Sequence, residues 1–168
     1  MRRAVTLAAA VVMLGAATLS AQATNFSGTW TRDTTGMGAM MGGGGGGGGG
    51  RPGGGGGPMS ISMDAKTMTI TRTQGGNEVK TVYNLDGSDS KNSQMGRGGA
   101  ATEVISKAKW DGATLAITTN QDRGGTMVTR TAVYSLDASG KVLSVATTQP
   151  PRGGGDPVTM TAKYNKGM

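Results

Sequence analysis

The chain contains no histidine and no cysteine. Ser-His-Asp and Cys-His catalysis are therefore excluded, as are His- or Cys-based metal centres. No disulfide framework is available either, so stability must come from packing and backbone hydrogen bonds. Aromatic residues are scarce, with one Phe, two Trp and three Tyr, which argues against a thick two-layer core. The ten carboxylates are few, and Asp64, Asp86, Asp89, Asp111, Asp137 and Asp156 sit in turn-like sequence, where an Asp side chain bonds its own backbone. A paired-carboxylate glycosidase site, which needs two such groups held inside the fold, is not expected.

The longest apolar run lies at the start. Met1-Arg2-Arg3, the stretch Ala4 to Leu19 and the small-residue site Ala21-Gln22-Ala23 have the three parts of a secretory signal peptide. Cleavage is expected after Ala23, giving a periplasmic or secreted chain. A membrane anchor is the alternative, but the run is Ala-rich and shorter than the roughly 20 residues needed to span. Arg2-Arg3 lacks the surroundings of a twin-arginine signal, and no Cys follows to carry a lipid. Removal of Arg2 and Arg3 leaves 15 basic against 10 acidic residues, a balance of +5. These charges are scattered, which supports at most a weak attraction to anionic envelope surfaces.

Residues Gly36 to Pro58 are almost wholly Gly, Met and Pro around Arg51, with nine consecutive glycines at Gly42 to Gly50. Such a segment cannot offset its ordering entropy by burial and reads as a flexible insertion within one domain, 24–168. Beyond it, alternating residues and turn signals define strands. They are Met59 to Met63, Thr67 to Gln74, Glu78 to Leu85, Ala101 to Trp110, Thr114 to Gln121, Thr126 to Leu136, Lys141 to Gln149 and Val158 to Tyr164. Asp86 to Gly99 reads as a polar loop, and Asp111-Gly112 as a hairpin turn. With Phe26 to Arg32 these make nine candidates and no helix after Ala23. The expectation is an all-β, antiparallel up-and-down meander closing into an eight- to nine-stranded barrel.

Phase assigns the inner wall. Glu103, Lys107 and Lys109 share one face, leaving Val104, Ser106, Ala108 and Trp110 on the other. Val79, Thr81, Tyr83 and Leu85 are likewise inward, with Met59, Ile61, Met63, Met68, Ile70, Leu115, Ile117, Leu143, Val145, Val158, Met160, Ala162 and Tyr164. Arg130 shares a face with Val128, Ala132, Tyr134 and Leu136. If that face is inward, its guanidinium enters the barrel and can hold a carboxylate or phosphate bidentately. If Met127, Thr129, Thr131 and Val133 face inward instead, Arg130 meets solvent. A third alternative stacks it on Trp30 or Trp110. Arg72 follows the phase of Met68 and Ile70 near a strand end, where a solvated rim position is expected.

Asn25-Phe26-Ser27-Gly28-Thr29-Trp30 resembles the Gly-x-Trp opening of lipocalins and related calycin barrels. With Trp110-Asp111-Gly112 and the repeated hairpins, it is similar to small secreted bacterial proteins described as lipocalin-like. The resemblance implies that Gly28 and Trp30 close one end of the barrel. It also implies a basic residue late in the chain packed on that Trp. Lys163 is the candidate, although its phase points outward.

Other chemistries have plainer alternatives. Met37, Met40 and Met41 offer thioethers to Cu(I) or Ag(I), but nothing preorganises them. The oligoglycine run lacks the strand, helix and Lys of a phosphate loop. Basic residues are not interleaved with aromatics, so no nucleic-acid partner is expected. No cofactor, metal or catalytic residue is expected. The leading expectation is a non-catalytic barrel holding a small, largely apolar molecule against Ile61, Ile70, Tyr83, Leu115, Ile117, Arg130, Tyr134 and Tyr164. The alternative is a solid structural or interaction module of the cell envelope.

Overall fold

The computed structural model describes residues 24–35, 58–74, 76–95, 101–122, 125–151 and 155–167. The signal-peptide reading, most of the glycine-rich insertion and Met37, Met40 and Met41 lie outside them. Among the described residues no helix is long and apolar enough to cross a membrane.

Ten strands form one antiparallel sheet. They are β1 (Gly28–Arg32), β2 (Met59–Met63), β3 (Thr67–Gln74), β4 (Asn77–Asn84), β5 (Ser90–Met95), β6 (Ala101–Asp111), β7 (Thr114–Asp122), β8 (Met127–Leu136), β9 (Val142–Gln149) and β10 (Val158–Lys166). Their order across the sheet is β4-β3-β2-β1-β10-β9-β8-β7-β6-β5. Every strand except β4 and β5 pairs with its sequence neighbours, and β1 joins β10 through Trp30↔Lys166 and Arg32↔Tyr164. The sheet therefore curls into a nearly closed barrel, a shape compatible with the calycin fold, whose seam falls between β4 and β5.

The expected eight or nine strands become ten because β5 occupies the stretch read as the polar loop Asp86 to Gly99. Its sequence, SKNSQM, has no apolar alternation. Its inward positions Ser90, Asn92 and Gln94 follow from the register Ser90↔Ser106 and Asn92↔Val104. They are polar because β5 borders the seam.

Side chains stitch that seam in place of a backbone ladder. The Val82 N–H donates to Asn92 Oδ1 at 2.8 Å, while Asn92 Nδ2 donates to the Val82 carbonyl at 2.8 Å. The Asn84 N–H donates to Ser90 Oγ at 2.7 Å, and Asn84 Nδ2 donates to the Asp89 carbonyl at 2.9 Å. One primary amide thus supplies both the acceptor and the donor that a neighbouring strand would present.

Turn chemistry sets the opposite side of each hairpin. Asp64 accepts from the Lys66 and Thr67 N–H groups at 2.7 Å each. Asp137 accepts from the Val142 and Lys141 N–H groups at 2.8 and 2.9 Å. Bonding to Thr67 and Lys66, and to Ser139 and Val142, holds these carboxyls below the usual range. Gly112, with φ +58°, makes the Asp111-Gly112 hairpin expected from sequence.

Asn92→Leu removes both bonds to Val82 and leaves its backbone N–H and C=O without that partner. A loss of about 1–3 kcal/mol is expected, with faster hydrogen exchange at Val82 and Asn84. Unchanged exchange there would show that the seam does not rest on this amide.

Candidate functional site

The barrel has two dissimilar ends. At one, the tight hairpins turn, β1 begins and β10 finishes. At the other, β1 ends, and the connections to β2 and between β3 and β4, β5 and β6, β7 and β8, and β9 and β10 emerge.

The first end is closed by side chains from the start of the described chain. Trp30 and Phe26 are fully buried, and Trp30 Nε1 donates to the Phe26 carbonyl at 2.9 Å. The Phe26 ring stacks on Trp110 with centroids 5.9 Å apart and meets Tyr134 at 6.2 Å in a tilted arrangement. The basic residue on the Trp30 ring is Lys166, whose Nζ lies 5.6 Å from the ring centroid. This corrects the expectation of Lys163, which is exposed on the outer phase of β10. Register is the reason, because Trp30 pairs directly with Lys166. Gly28 has φ +145°, and a Cβ there would stand 3.0 Å from Lys166 Cε, so its lack of a side chain makes room for the Lys166 stem.

From this end inward the barrel is filled. Ile61, Ile70, Leu115, Ile117, Tyr134 and Tyr164 are all buried, at 8 % exposure or less, and belong to one apolar cluster with Met59, Met68, Leu143 and Val145. Leu115 at 0 % and Ile117 at 2 % have essentially no contact with a water-sized void on any side. Six of the eight residues expected to line a ligand site are therefore packed core. Tyr83, half-buried, packs against the same cluster, and burial raises its phenol pKa while the nearby Arg72 lowers it. Burial raises Tyr134 further, reinforced by Tyr83 and Tyr164.

Toward the second end, side chains of the same inward phase become exposed. Along β10, Tyr164 is 8 % exposed, whereas Met160 and Val158 reach 56 % and 49 %. On β3 the phase runs from buried Met68 and Ile70 to half-buried Arg72 and exposed Gln74. On β9 it runs from buried Leu143 and Val145 to half-buried Thr147 and Gln149. The core thus stops partway along the barrel, and beyond it the side chains of the inward phase are half-buried or exposed.

Arginines stand where the core stops. Arg32 lies two residues beyond Trp30 on β1, and Arg72 two beyond Ile70 on β3. Arg130 lies beyond Ala132 and Tyr134 on β8. Because Tyr134 is buried while Met127 is 65 % exposed, the inward face of β8 is the one carrying Arg130. The Nε atoms of Arg32 and Arg130 are buried, and that of Arg32 makes no hydrogen bond. Arg72 Nη2 lies 3.3 Å from Met59 Sδ, a soft and weak acceptor, so its head is drawn over the inner wall. Hydroxyls share this region, with Ser106 Oγ and Thr119 Oγ1 3.0 Å apart.

Phase reading left the face of Arg130 open among three alternatives and expected a solvated rim position for Arg72, whereas Arg72 is half-buried with Nη2 on Met59 Sδ. Arg32 was missed, although its spacing of two from Trp30 was the available signal. All ten carboxylates lie in turns or on the outer face, and among the described residues no group of three acidic side chains could hold a metal ion.

Two depressions mark other surfaces. One of about 650 Å³ opens at the closed end between Lys66, Leu85, Asp86 and Trp110. The other, about 350 Å³, lies on the outer face among Glu103, Lys107, Asn120 and Asp122. Neither reaches the inward arginines. No protein-family model matches the chain, and no curated protein sequence matches it.

Gly28→Ala forces a side chain into a backbone region disfavoured for L-residues and against Lys166. A loss of about 1–3 kcal/mol in unfolding free energy is expected. Wild-type stability with the alanine in place would show that the closed end tolerates a different entry.

Proposed function

We propose that this protein is an exported, lipocalin-like binding barrel that holds a small, largely apolar molecule in its open half, without a catalytic step. The observation carrying this reading is the change along the inward phase from packed Leu115 and Leu143 to exposed Val158 and Met160. Exposed apolar side chains inside a barrel end are surface that a ligand can cover at about 25 cal/mol per Å². The binding wall is then Val79, Val128, Ala132, Thr147, Met160 and Ala162 around Arg130. The deeper Ile61, Ile70, Leu115 and Ile117 form its floor. The lack of His and Cys, with every carboxylate in a turn or outside, supports binding in place of acid-base chemistry.

A second reading is supported by the filled half: a solid structural module of the envelope that uses its outer surface. Native mass spectrometry of the mature protein purified from its own envelope separates the two. A stoichiometric small molecule released on denaturation is expected, and a bare mass supports the solid module. Ala162→Phe, which narrows the open half, is expected to abolish that adduct at a stability change of about 1 kcal/mol or less. Ile117→Ala, in the floor, costs about 2–5 kcal/mol. Retention of the adduct in the Ala162→Phe protein would place the ligand elsewhere.

A further inference from the structure

We infer that the molecule carries an anionic head, a carboxylate or phosphate, and that Arg32, Arg72 and Arg130 receive it. This deepens the proposed barrel-binding reading and rests on it.

Three positive side chains share the inward phase, and all three lie on the open side of the core. Each occupies a different strand, β1, β3 and β8, and β8 is separated from β1 by two intervening strands. The groups therefore approach the interior from more than one wall. No carboxylate shares their phase. Glu78 is outside and pairs with Lys80 at 3.0 Å, and Asp89 pairs with Lys107 at 3.4 Å. The Arg32 Nε–H is buried without a hydrogen bond, and Arg72 reaches a thioether in place of an oxygen. A buried charged donor in such a state is a group shaped for an acceptor that arrives from outside.

The choice of cation points the same way. No lysine lies in the barrel interior, and all eight are in turns, on the outer face or, as Lys166, over the closed end. Guanidinium is the cation that grips carboxylate and phosphate bidentately and loses less on desolvation. The exposed apolar side chains that lie farther along β10 than the Tyr164 partner of Arg32, Val158 and Met160, suit a tail that leaves toward the opening.

The test uses four ligands of one tail length, decanoate, decyl phosphate, decanol and decyltrimethylammonium, together with inorganic phosphate. Binding to the mature protein is read by titration calorimetry. The two anionic amphiphiles are expected to bind at least about tenfold more tightly than decanol, and the cation not at all. Arg32→Gln, Arg72→Gln and Arg130→Gln are each expected to lower anion affinity about tenfold or more. Decanol binding should stay unchanged, and the melting temperature should stay level or rise, since a desolvated charge has been removed.

Decanol binding as tightly as decanoate would overturn the head assignment while leaving the binding barrel intact. Failure of all four amphiphiles would remove the barrel-binding reading and this inference with it. Inorganic phosphate binding as tightly as decyl phosphate would keep the anion site and make the occupant a free anion. A large fall in melting temperature for the three variants would show that the arginines serve the fold. The wild-type comparison of acid with alcohol decides the matter even if a variant does not fold.

Discussion

Five residues close this molecule. β1, Gly28–Arg32, is the strand that bonds to both β2 and β10, so it joins the front of the meander to its end. Without that double pairing the sheet would have two further free edges, each with an unsatisfied ladder. A strand so short cannot hold by ladder bonds alone. Trp30 supplies the rest, fully buried, with its indole N–H bonded to the Phe26 carbonyl and Lys166 over its ring. The Phe26 N–H in turn rests on Met63 Sδ at 3.2 Å, which fixes the turn entering β1 against β2.

That anchoring has a consequence for the interior. All six aromatic residues, Phe26, Trp30, Tyr83, Trp110, Tyr134 and Tyr164, lie in or against one apolar cluster. Beyond that cluster the inward phase carries mostly small or short side chains, such as Val79, Thr81, Val128 and Thr147, which cannot fill a ten-stranded barrel along its whole length. Large side chains concentrated at one end therefore produce a solid half, and toward the other end the inward phase becomes exposed at Val158 and Met160. The three arginines occupy the boundary, with the Nε atoms of Arg32 and Arg130 buried and Arg72 Nη2 on Met59 Sδ.

The sequence carried the fold where period and turn chemistry were strong. Asp64-Ala65, Asp111-Gly112 and Asp137 to Gly140 turn where expected, and inward phases such as Met68, Ile70 and Tyr134 hold. β5 was illegible because Ser90, Asn92 and Gln94 face inward as polar residues, so alternation of hydrophobicity vanishes. The seam they border rewards an amide, not an apolar side chain. Lys166 was illegible for another reason: only register across β1 and β10 brings it to Trp30, and register between distant strands leaves no local signal. The site was partly legible. Phase put Arg130 on the face of Tyr134 without deciding which face is inward, and phase alone does not distinguish an inward residue in packed core from one that is exposed. Ile61, Ile70, Leu115 and Ile117 were read as a ligand wall on that account, and they are buried in one packed cluster.

Solvent paramagnetic relaxation, read on methyl groups with a soluble gadolinium probe, tests the half-solid, half-open barrel most directly. Strong broadening is expected at Val158, Met160, Val79 and Val128, with sharp signals from Leu115, Ile117, Met68 and Leu143. Uniform protection of all eight would contradict it by showing a barrel shut along its length. Broadening of the second group would contradict it by showing a hollow one.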